Sequence, residues 1–476
     1  MAAADPSTPA AGPIRVDPVV SGRLVPSSDR TTLVGVHGAD LADIGLAPRL
    51  LAQAALNRMR AAADGLPPSP AIFRAAARIF ATEELDGESV GQYVARVTQA
   101  TGLTAATGRL AVTDLVAEIE ALPETTAAEL PVTDFGAGFR TRWVPRGRTF
   151  AAVMASNHPV PNATWVQAVF HGYSVLVRPG SRDPFTARRL VAALLRAGLD
   201  PERIAFLPSE RPVGEFLLRE ADRGIIYGGR KAVETWQRDE SVAVRGPGST
   251  KALLDADLDD RLLDHLVASA SFDGGTRCTN LSAVLTTRPP AEVADALARR
   301  LSTLPVLPAD APEASLLVVD AERADQLRRQ TDALRASLTD HSAAYDENGP
   351  LVELPDGSFL PRPLVLSADS AHDPAVGTEL PFPFVIVAPW TPQDGTAPLR
   401  HSLVLNLLTE NEEVVDRALR EPTVRKITRG TVLPWTAVPG IPHDDNYTQF
   451  LLEPKGIVGT SAGDIDLKSA QHDLAG

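Results

Sequence analysis

Tyr173-Ser-Val-Leu-Val-Arg178, the stretch Asp183-Pro184 through Ala197-Gly198, and Arg203-Ile-Ala-Phe-Leu207 together decide the fold. The first and last are short apolar runs, and a helical stretch lies between them. Asp183 suits an N-cap, Pro184 the first helical position and Gly198 the stop that follows. Strand, helix and strand in succession imply a right-handed crossover and a parallel sheet. The same alternation extends outward on both sides. Phe150-Ala-Ala-Val-Met-Ala155 reads as a strand upstream, with Gly224-Ile-Ile-Tyr227 and Ser241-Val-Ala-Val-Arg245 as strands downstream. Open sheets of this kind bind dinucleotides at the carboxyl ends of their strands.

Beyond this unit the pattern changes. Residues 40–135 are mostly helical in pattern, from Pro48 to Gly65 and again from Ser89 to Leu122, with Gly65-Leu-Pro-Pro-Ser-Pro70 as the break. Residues 1–20 are rich in Ala and Pro and are predicted to be a disordered tail. A second α/β unit follows: helices over 253–305 surround a loop at Ser271–Asn280, and further apolar runs include Ser315-Leu-Leu-Val-Val319 and Phe384-Val-Ile-Val-Ala388. The expected organisation is an α/β protein in four parts. After the tail comes a dinucleotide-binding domain over 21–250, with a helical N-terminal part and an oligomerisation hairpin near 138–148. A catalytic domain covers 251–430. A loop-rich segment, 431–476, returns to the cofactor domain or joins subunits.

Composition narrows the function. At 476 residues the chain has capacity for two or three domains. A net charge of −14 makes a phosphate-backbone partner a poor expectation. The single cysteine excludes an intramolecular disulfide and fits a reducing compartment. The N-terminus lacks a basic patch followed by an apolar core, and no apolar run approaches the ~20 residues that span a bilayer. The sequence therefore predicts a cytoplasmic protein without a membrane span.

Ser271-Phe-Asp-Gly-Gly-Thr-Arg-Cys278-Thr-Asn280 is the most informative loop. Paired glycines permit a tight turn that brings backbone N–H groups near a reacting oxygen. Arg277 is expected to favour the nucleophilic thiolate of Cys278. The plainer alternative is a small buried thiol. Three other features are set aside. Gly246-Pro-Gly-Ser-Thr-Lys251 lacks the Gly-Lys-Ser/Thr order of a phosphate loop. His443-Asp444-Asp445 has no partner cluster at ligand spacing and reads as a solvated turn, so no metal is expected. A Cys/His pairing with His158, His171 or His265 is a coincidence that nine histidines make cheap.

Gly274-Gly-Thr-Arg-Cys278-Thr resembles the nucleophile motif of the aldehyde dehydrogenase superfamily. Met154-Ala-Ser-Asn157-His-Pro159 is similar to its Asn-x-Pro motif. Tyr173-Ser-Val-Leu-Val-Arg178-Pro-Gly-Ser181 resembles its cofactor strand, which usually ends Lys-Pro-Ser-Glu. Ile226-Tyr-Gly228-Gly229 resembles the next cofactor turn, and Thr378-Glu379-Leu-Pro-Phe-Pro383 the Glu-x-Phe-Gly-Pro motif. The five occur in the family's order. The resemblance implies that Cys278 attacks the substrate carbonyl while Asn157 and the Cys278 N–H hold the oxyanion. It implies that Glu379 bonds the nicotinamide ribose and that Gly228 and Gly229 pass close to the pyrophosphate. Arg178 stands where the family has Lys, and Ser181 where NAD-using members have Glu. With Arg182 adjacent, this favours NADP(H), with NAD(H) as the alternative, unless Asp183 turns inward.

One departure stands out. The family's Glu-Leu-Gly-Gly motif, whose Glu activates water, falls on Val244-Arg245-Gly246-Pro247-Gly248-Ser249, which holds no carboxylate. Gly228-Gly229, Gly246-Pro-Gly248 and Ser271-Phe-Asp273 also resemble the CoA-acylating, acyl-CoA reductase branch. The expectation is reduction of an acyl thioester, carried on CoA or an acyl carrier protein, to the aldehyde, with an acyl adenylate as another donor. The alternatives are oxidation of an aldehyde to the acid, and a non-catalytic relative acting as a binding partner. The resemblance also implies a homodimer or homotetramer, joined through Phe139–Arg146 and residues near Gln449-Phe-Leu-Leu452.

Overall fold

The structure is a computed structural model and describes residues 12–62, 66–131, 139–346 and 349–458. Five parallel strands form the centre of one sheet: Thr149–Val153, Ser174–Arg178, Ile204–Phe206, Arg223–Tyr227 and Val242–Arg245. Their spatial order is fifth, fourth, first, second, third. The order reverses between Thr149–Val153 and Arg223–Tyr227, so a crevice opens where those two strands end.

These strands are apolar throughout because both faces are covered. Phe150, Ala152, Val175, Val177, Ile204 and Phe206 point to one core, which the helices Pro70–Thr82, Val90–Thr101 and Pro184–Arg196 complete. Ala151, Leu176, Ala205 and Leu207 point to the other, against Leu56, Leu217 and Trp236. The Pro184–Arg196 helix begins as its sequence predicts, with the Asp183 carboxylate accepting from the Thr186 N–H at 3.0 Å. It ends at Ala197, before Gly198 at φ +96°.

The N-terminal expectations need correction. Val19–Val20 pairs antiparallel with Ile204–Phe206 and so extends the cofactor sheet. Ile14–Val16 and Arg30–Val34 flank Asp40–Gly45 in a separate three-stranded sheet. Residues 14–20, assigned to a disordered tail, and 40–45, assigned to the helical stretch, are therefore strands; residues 1–11 lie outside the described residues. These strands are short, and their partners are remote in sequence, so local composition does not announce them.

The second sheet carries the cysteine. Thr250–Leu254, Leu281–Thr286, Leu364–Ser367, Phe384–Pro389, Val404–Leu408 and Lys426–Arg429 are parallel, and Thr339–Asp340 closes one edge antiparallel. Thr250–Leu254 lies between Leu281–Thr286 and Val404–Leu408. The chain passes from one sheet to the other through Gly246–Ser249, which places the ends of both sheets side by side.

Phe139–Pro145 does not fold back on itself as the expected hairpin. It pairs antiparallel with Leu452–Val458 of the same chain, Pro145 opposite Leu452. A partner some three hundred positions away wins because the C-terminal segment is anchored next to it. Tyr173 Oη donates to the Leu451 carbonyl at 2.6 Å, and Gln167 Nε2 donates to Thr448 Oγ1 at 3.0 Å.

Candidate active site

Asn157, Gly228-Gly229 and Arg245-Gly246 all follow strands at the crevice. The cysteine loop faces them from the second sheet. Its turn needs left-handed backbone at Asp273 (φ 50°), Gly274 (φ 68°) and Gly275 (φ 75°). A Cβ on Gly275 would lie 2.5 Å from the Phe382 carbonyl carbon, and one on Gly248 would lie 1.6 Å from the Cys278 carbonyl oxygen. The loop is thus clamped between the Gly246–Gly248 turn and the Pro381–Pro383 segment. Asn280 staples it from inside, accepting from the Arg277 N–H at 2.7 Å and donating to the Ser269 and Phe272 carbonyls.

The Asn157-His158-Pro159 turn is tied to this loop twice. Asn157 Nδ2 donates to the Thr276 carbonyl at 3.1 Å, two residues before Cys278. The Val160 N–H donates to His158 Nδ1 at 3.3 Å, which leaves Nε2 to carry the proton toward Asp273 Oδ2, 3.3 Å away. Burial lowers the His158 pKa despite that bond. His265 bonds Asn406 at 2.9 Å, and His171 is pushed down to about 4 by burial. His158 therefore serves the loop, His265 is bonded to Asn406, and His171 is buried with its Nε2 unbonded.

Arg277 does not activate the thiol. Its guanidinium pairs with Asp273 at 2.5 Å and Asp114 at 2.8 Å and lies over the Phe272 ring. Cys278 is pushed up to about 12, first by burial and then by the Asp444 and Glu379 carboxylates. A nucleophile held so firmly in its protonated form needs a nearby base. Glu379 Oε2 accepts from the Gly248 N–H at 3.0 Å, and burial pushes its carboxyl up to about 7 despite the Gly248 and Ser249 N–H groups.

Asp444 is the residue that sequence reasoning missed. The His443-Asp444-Asp445 stretch, expected as a solvated turn, folds over the crevice. Arg245 pairs with Asp444 at 3.1 Å and Asp445 at 2.8 Å. Burial works against the Arg245 charge, but the two carboxylates outweigh it and its pKa is raised. Lys251 of the set-aside phosphate loop is buried in the strand Thr250–Leu254 and donates to Ser402 Oγ at 3.3 Å. Among the described residues, no group of three or more His, Cys, Asp or Glu side chains forms a metal site.

The cofactor residues divide. Arg178 is half-buried at the end of its strand, and its Nε donates to the Ser209 carbonyl at 3.2 Å. Burial, and the Arg211 charge after it, lower its pKa, and no carboxylate pairs with it among the described residues. Ser181 is exposed at the loop tip. Arg182 turns away, donating to the Ala100 carbonyl at 3.1 Å and pairing with Asp320. Its charge is thus matched by Asp320. Asp183 is committed to its cap and does not turn inward. Gly228 donates to the Arg245 carbonyl at 3.0 Å, and Gly229 opens the helix Arg230–Trp236 with nothing within 4 Å of where a Cβ would stand. Open space at Gly229 and a half-buried cation at Arg178 with no carboxylate partner among the described residues suit a phosphate-bearing dinucleotide.

With this geometry in place, the comparisons with known proteins assign the class. Residues 36–395 match the aldehyde dehydrogenase family, and the chain belongs to it. The bifunctional protein PutA of Klebsiella aerogenes is 27% identical over 230 residues, which are 43% of this chain and 17% of that protein. Proline utilization A from Bdellovibrio bacteriovorus superposes with a TM-score of 0.77 at 16% identity, over 94% of this chain and 50% of that one. Gamma-glutamyl-gamma-aminobutyraldehyde dehydrogenase from Burkholderia cenocepacia gives 0.79 at 17% identity, over 93% and 96%. The chain thus spans half or less of the PutA proteins it resembles. Its fold is the α/β fold of the aldehyde dehydrogenase family. No helix among the described residues is long and apolar enough to cross a membrane.

Proposed function

We propose that this chain oxidises an aldehyde to the carboxylic acid with NAD(P)+, using Cys278 as the nucleophile. The observation that carries the reading is the meeting of three groups from separate elements: Asn157 bonded to the cysteine loop, Glu379 bonded to Gly248, and Gly248 packed on the Cys278 carbonyl. The Cys278 sulfur attacks the carbonyl carbon. The second Nδ2 hydrogen of Asn157 and the Cys278 N–H receive the developing oxyanion, each such donor being worth ~3 kcal/mol. The cofactor supplies the hydride acceptor. Arg178 holds its adenosine end, Gly228 and Gly229 its pyrophosphate, and Glu379 its nicotinamide ribose, with Ser181 offering no acid against a 2′-phosphate. The acyl group remains on sulfur as a thioester until water opens it. The PutA and aldehyde dehydrogenase relatives support the oxidative direction. Work at a reduced thiol suits the cytoplasm, and the ribbon of Phe139–Pro145 and Leu452–Val458 suits a homodimer or homotetramer interface.

One observation favours a second reading. The strand Val242–Arg245 ends in a cation where a water-activating acid would stand. This supports reduction of an acyl-CoA or acyl-carrier-protein thioester by NADPH, the chemistry of the CoA-acylating branch.

One assay separates the two. An aldehyde panel is incubated with NAD+ or NADP+ without added thiol, and reduced cofactor and acid are measured. The expected outcome is turnover with a higher kcat/KM for NADP+, abolished in Cys278→Ala while cofactor binding persists. Turnover confined to acyl-CoA with NADPH would replace the first reading by the second. An unchanged rate in Cys278→Ala would remove both.

A further inference from the structure

We propose that Asp444, held by Arg245, is the general base that takes the proton from water when the Cys278 thioester is opened. The inference rests on the oxidative reading above.

The loop that carries Asp444 is fixed over the cysteine by contacts at both ends. Lys426 Nζ donates to the Pro434 carbonyl at 3.0 Å and also to the Thr436 carbonyl. Trp435 stacks on Phe272 of the cysteine loop, ring centroids 4.0 Å apart and 7° from parallel. At the far end, Asn446 caps the helix Tyr447–Leu451 and donates to the Glu129 carbonyl at 2.8 Å. The span between must cross the mouth of the crevice, and Arg245 catches it there.

Arg245 distinguishes its two acids. Its own side chain is 11% exposed; Asp444 is 24% exposed and Asp445 46%. Asp444 is the inner one. Its Oδ2 meets Arg245 Nε at 3.1 Å, and no hydrogen bond to Oδ1 occurs among the described residues. The Arg245 hydrogen bonds go to both oxygens of Asp445, at 3.3 and 2.8 Å, so Asp444 is held by charge, with Oδ2 turned to the guanidinium and Oδ1 unbonded. After burial, Asp444 is the strongest influence raising the Cys278 thiol, ahead of Glu379. Asp445 is not among the largest influences on the thiol. Glu379 meanwhile spends an oxygen on the Gly248 N–H. The acid absent from the strand is thus supplied by the C-terminal loop, and the cation in its place is what holds it.

The step balances. Oδ1 of Asp444 removes a proton from water as the water oxygen bonds the thioester carbon. The tetrahedral intermediate collapses, the carbon–sulfur bond breaks, and its electron pair returns to sulfur. The carboxylic acid leaves, and the proton passes from Asp444 to the thiolate.

The test compares wild type, Asp444→Asn, Asp444→Glu and Asp445→Asn in rapid mixing with aldehyde and NAD(P)+. In Asp444→Asn the first turnover of reduced cofactor is expected to persist, while the steady state falls roughly 10²–10⁴-fold, the usual contribution of a general base. Acyl-enzyme then accumulates by intact mass, hydroxylamine restores turnover, and iodoacetamide alkylates Cys278 faster because a facing negative charge is gone. Asp444→Glu is expected to recover part of the rate, and Asp445→Asn to stay near wild type. An undiminished steady state in Asp444→Asn overturns the assignment. So does loss of the first turnover in Asp444→Asn matched by equal loss in Asp445→Asn, which marks a purely structural loop. No formation of reduced cofactor by wild type with any aldehyde would instead sink the oxidative reading.

Discussion

Glu379 shows how burial sets the behaviour of a single side chain. Its carboxyl rises from 4.5 to about 7 because desolvation outweighs the two N–H groups that face it. A raised acid binds its proton more tightly folded than unfolded. Stability is therefore complete while both forms are protonated and falls as pH climbs from 4.5 to about 7, by ~3 kcal/mol at about 1.36 kcal/mol per unit. Glu379→Gln carries no such charge. Its urea midpoint is expected to match wild type near about pH 5 and to exceed it near about pH 8, with the gap opening across that window. A constant difference at both values would show that the carboxyl titrates normally. At this scale the sequence was informative about identity and poor about charge. Asn157 bonds the cysteine loop and Glu379 bonds Gly248, which packs on the Cys278 carbonyl, but Arg277 is spent on Asp273 and Asp114 instead of the thiol. Adjacency along a chain says nothing about which way a guanidinium points.

The crossing from the first sheet to the second is the element on which the site depends. Gly248 is required there because a Cβ would fall 1.6 Å from the Cys278 carbonyl oxygen, inside any tolerable contact. The side chain cannot yield, since both partners are backbone. Gly248→Ala is therefore expected to displace the cysteine loop, and a shift of about 1 Å costs on the order of 10²-fold in rate. A kcat measurement on the folded variant checks this; a rate within a few-fold of wild type would show that the crossing relaxes freely. The glycines of this turn were legible in the sequence, but the object they approach was not. The same holds for the short strands at residues 14–20 and 40–45, whose pairing partners are remote.

At the scale of the molecule, the chain closes on itself. Tyr173, inside the first sheet, sends its hydroxyl to the Leu451 carbonyl at 2.6 Å and accepts the Arg146 N–H at 3.1 Å. Burial pushes that hydroxyl far above the usual tyrosine range, so it stays protonated and donates at every working pH. Tyr173→Phe removes both hydroxyl bonds but leaves the Arg146 N–H bonded to the Leu451 carbonyl at 3.0 Å, so the cost is that of a lost hydrogen bond, about 0.5–1.5 kcal/mol. Urea unfolding is expected to show that loss, together with weakened attachment of the C-terminal segment by hydrogen exchange at Leu452–Val458. Full protection there in the variant would place the anchor elsewhere.

Sequence alone determined the class of fold and the order of strands and helices in the first unit, and it pointed to Cys278, Asn157 and Glu379 as the residues to propose for the site. Those are local properties: apolar periodicity, caps and short motifs are each written within a few residues. Tertiary structure alone decided the charge environment of the cysteine. The strand end that lacks an acid receives one from a loop two hundred positions away, because Arg245 at the crevice attracts whatever carboxylate the fold brings past it. Electrostatic partners are chosen by distance in space, and no local pattern encodes that distance.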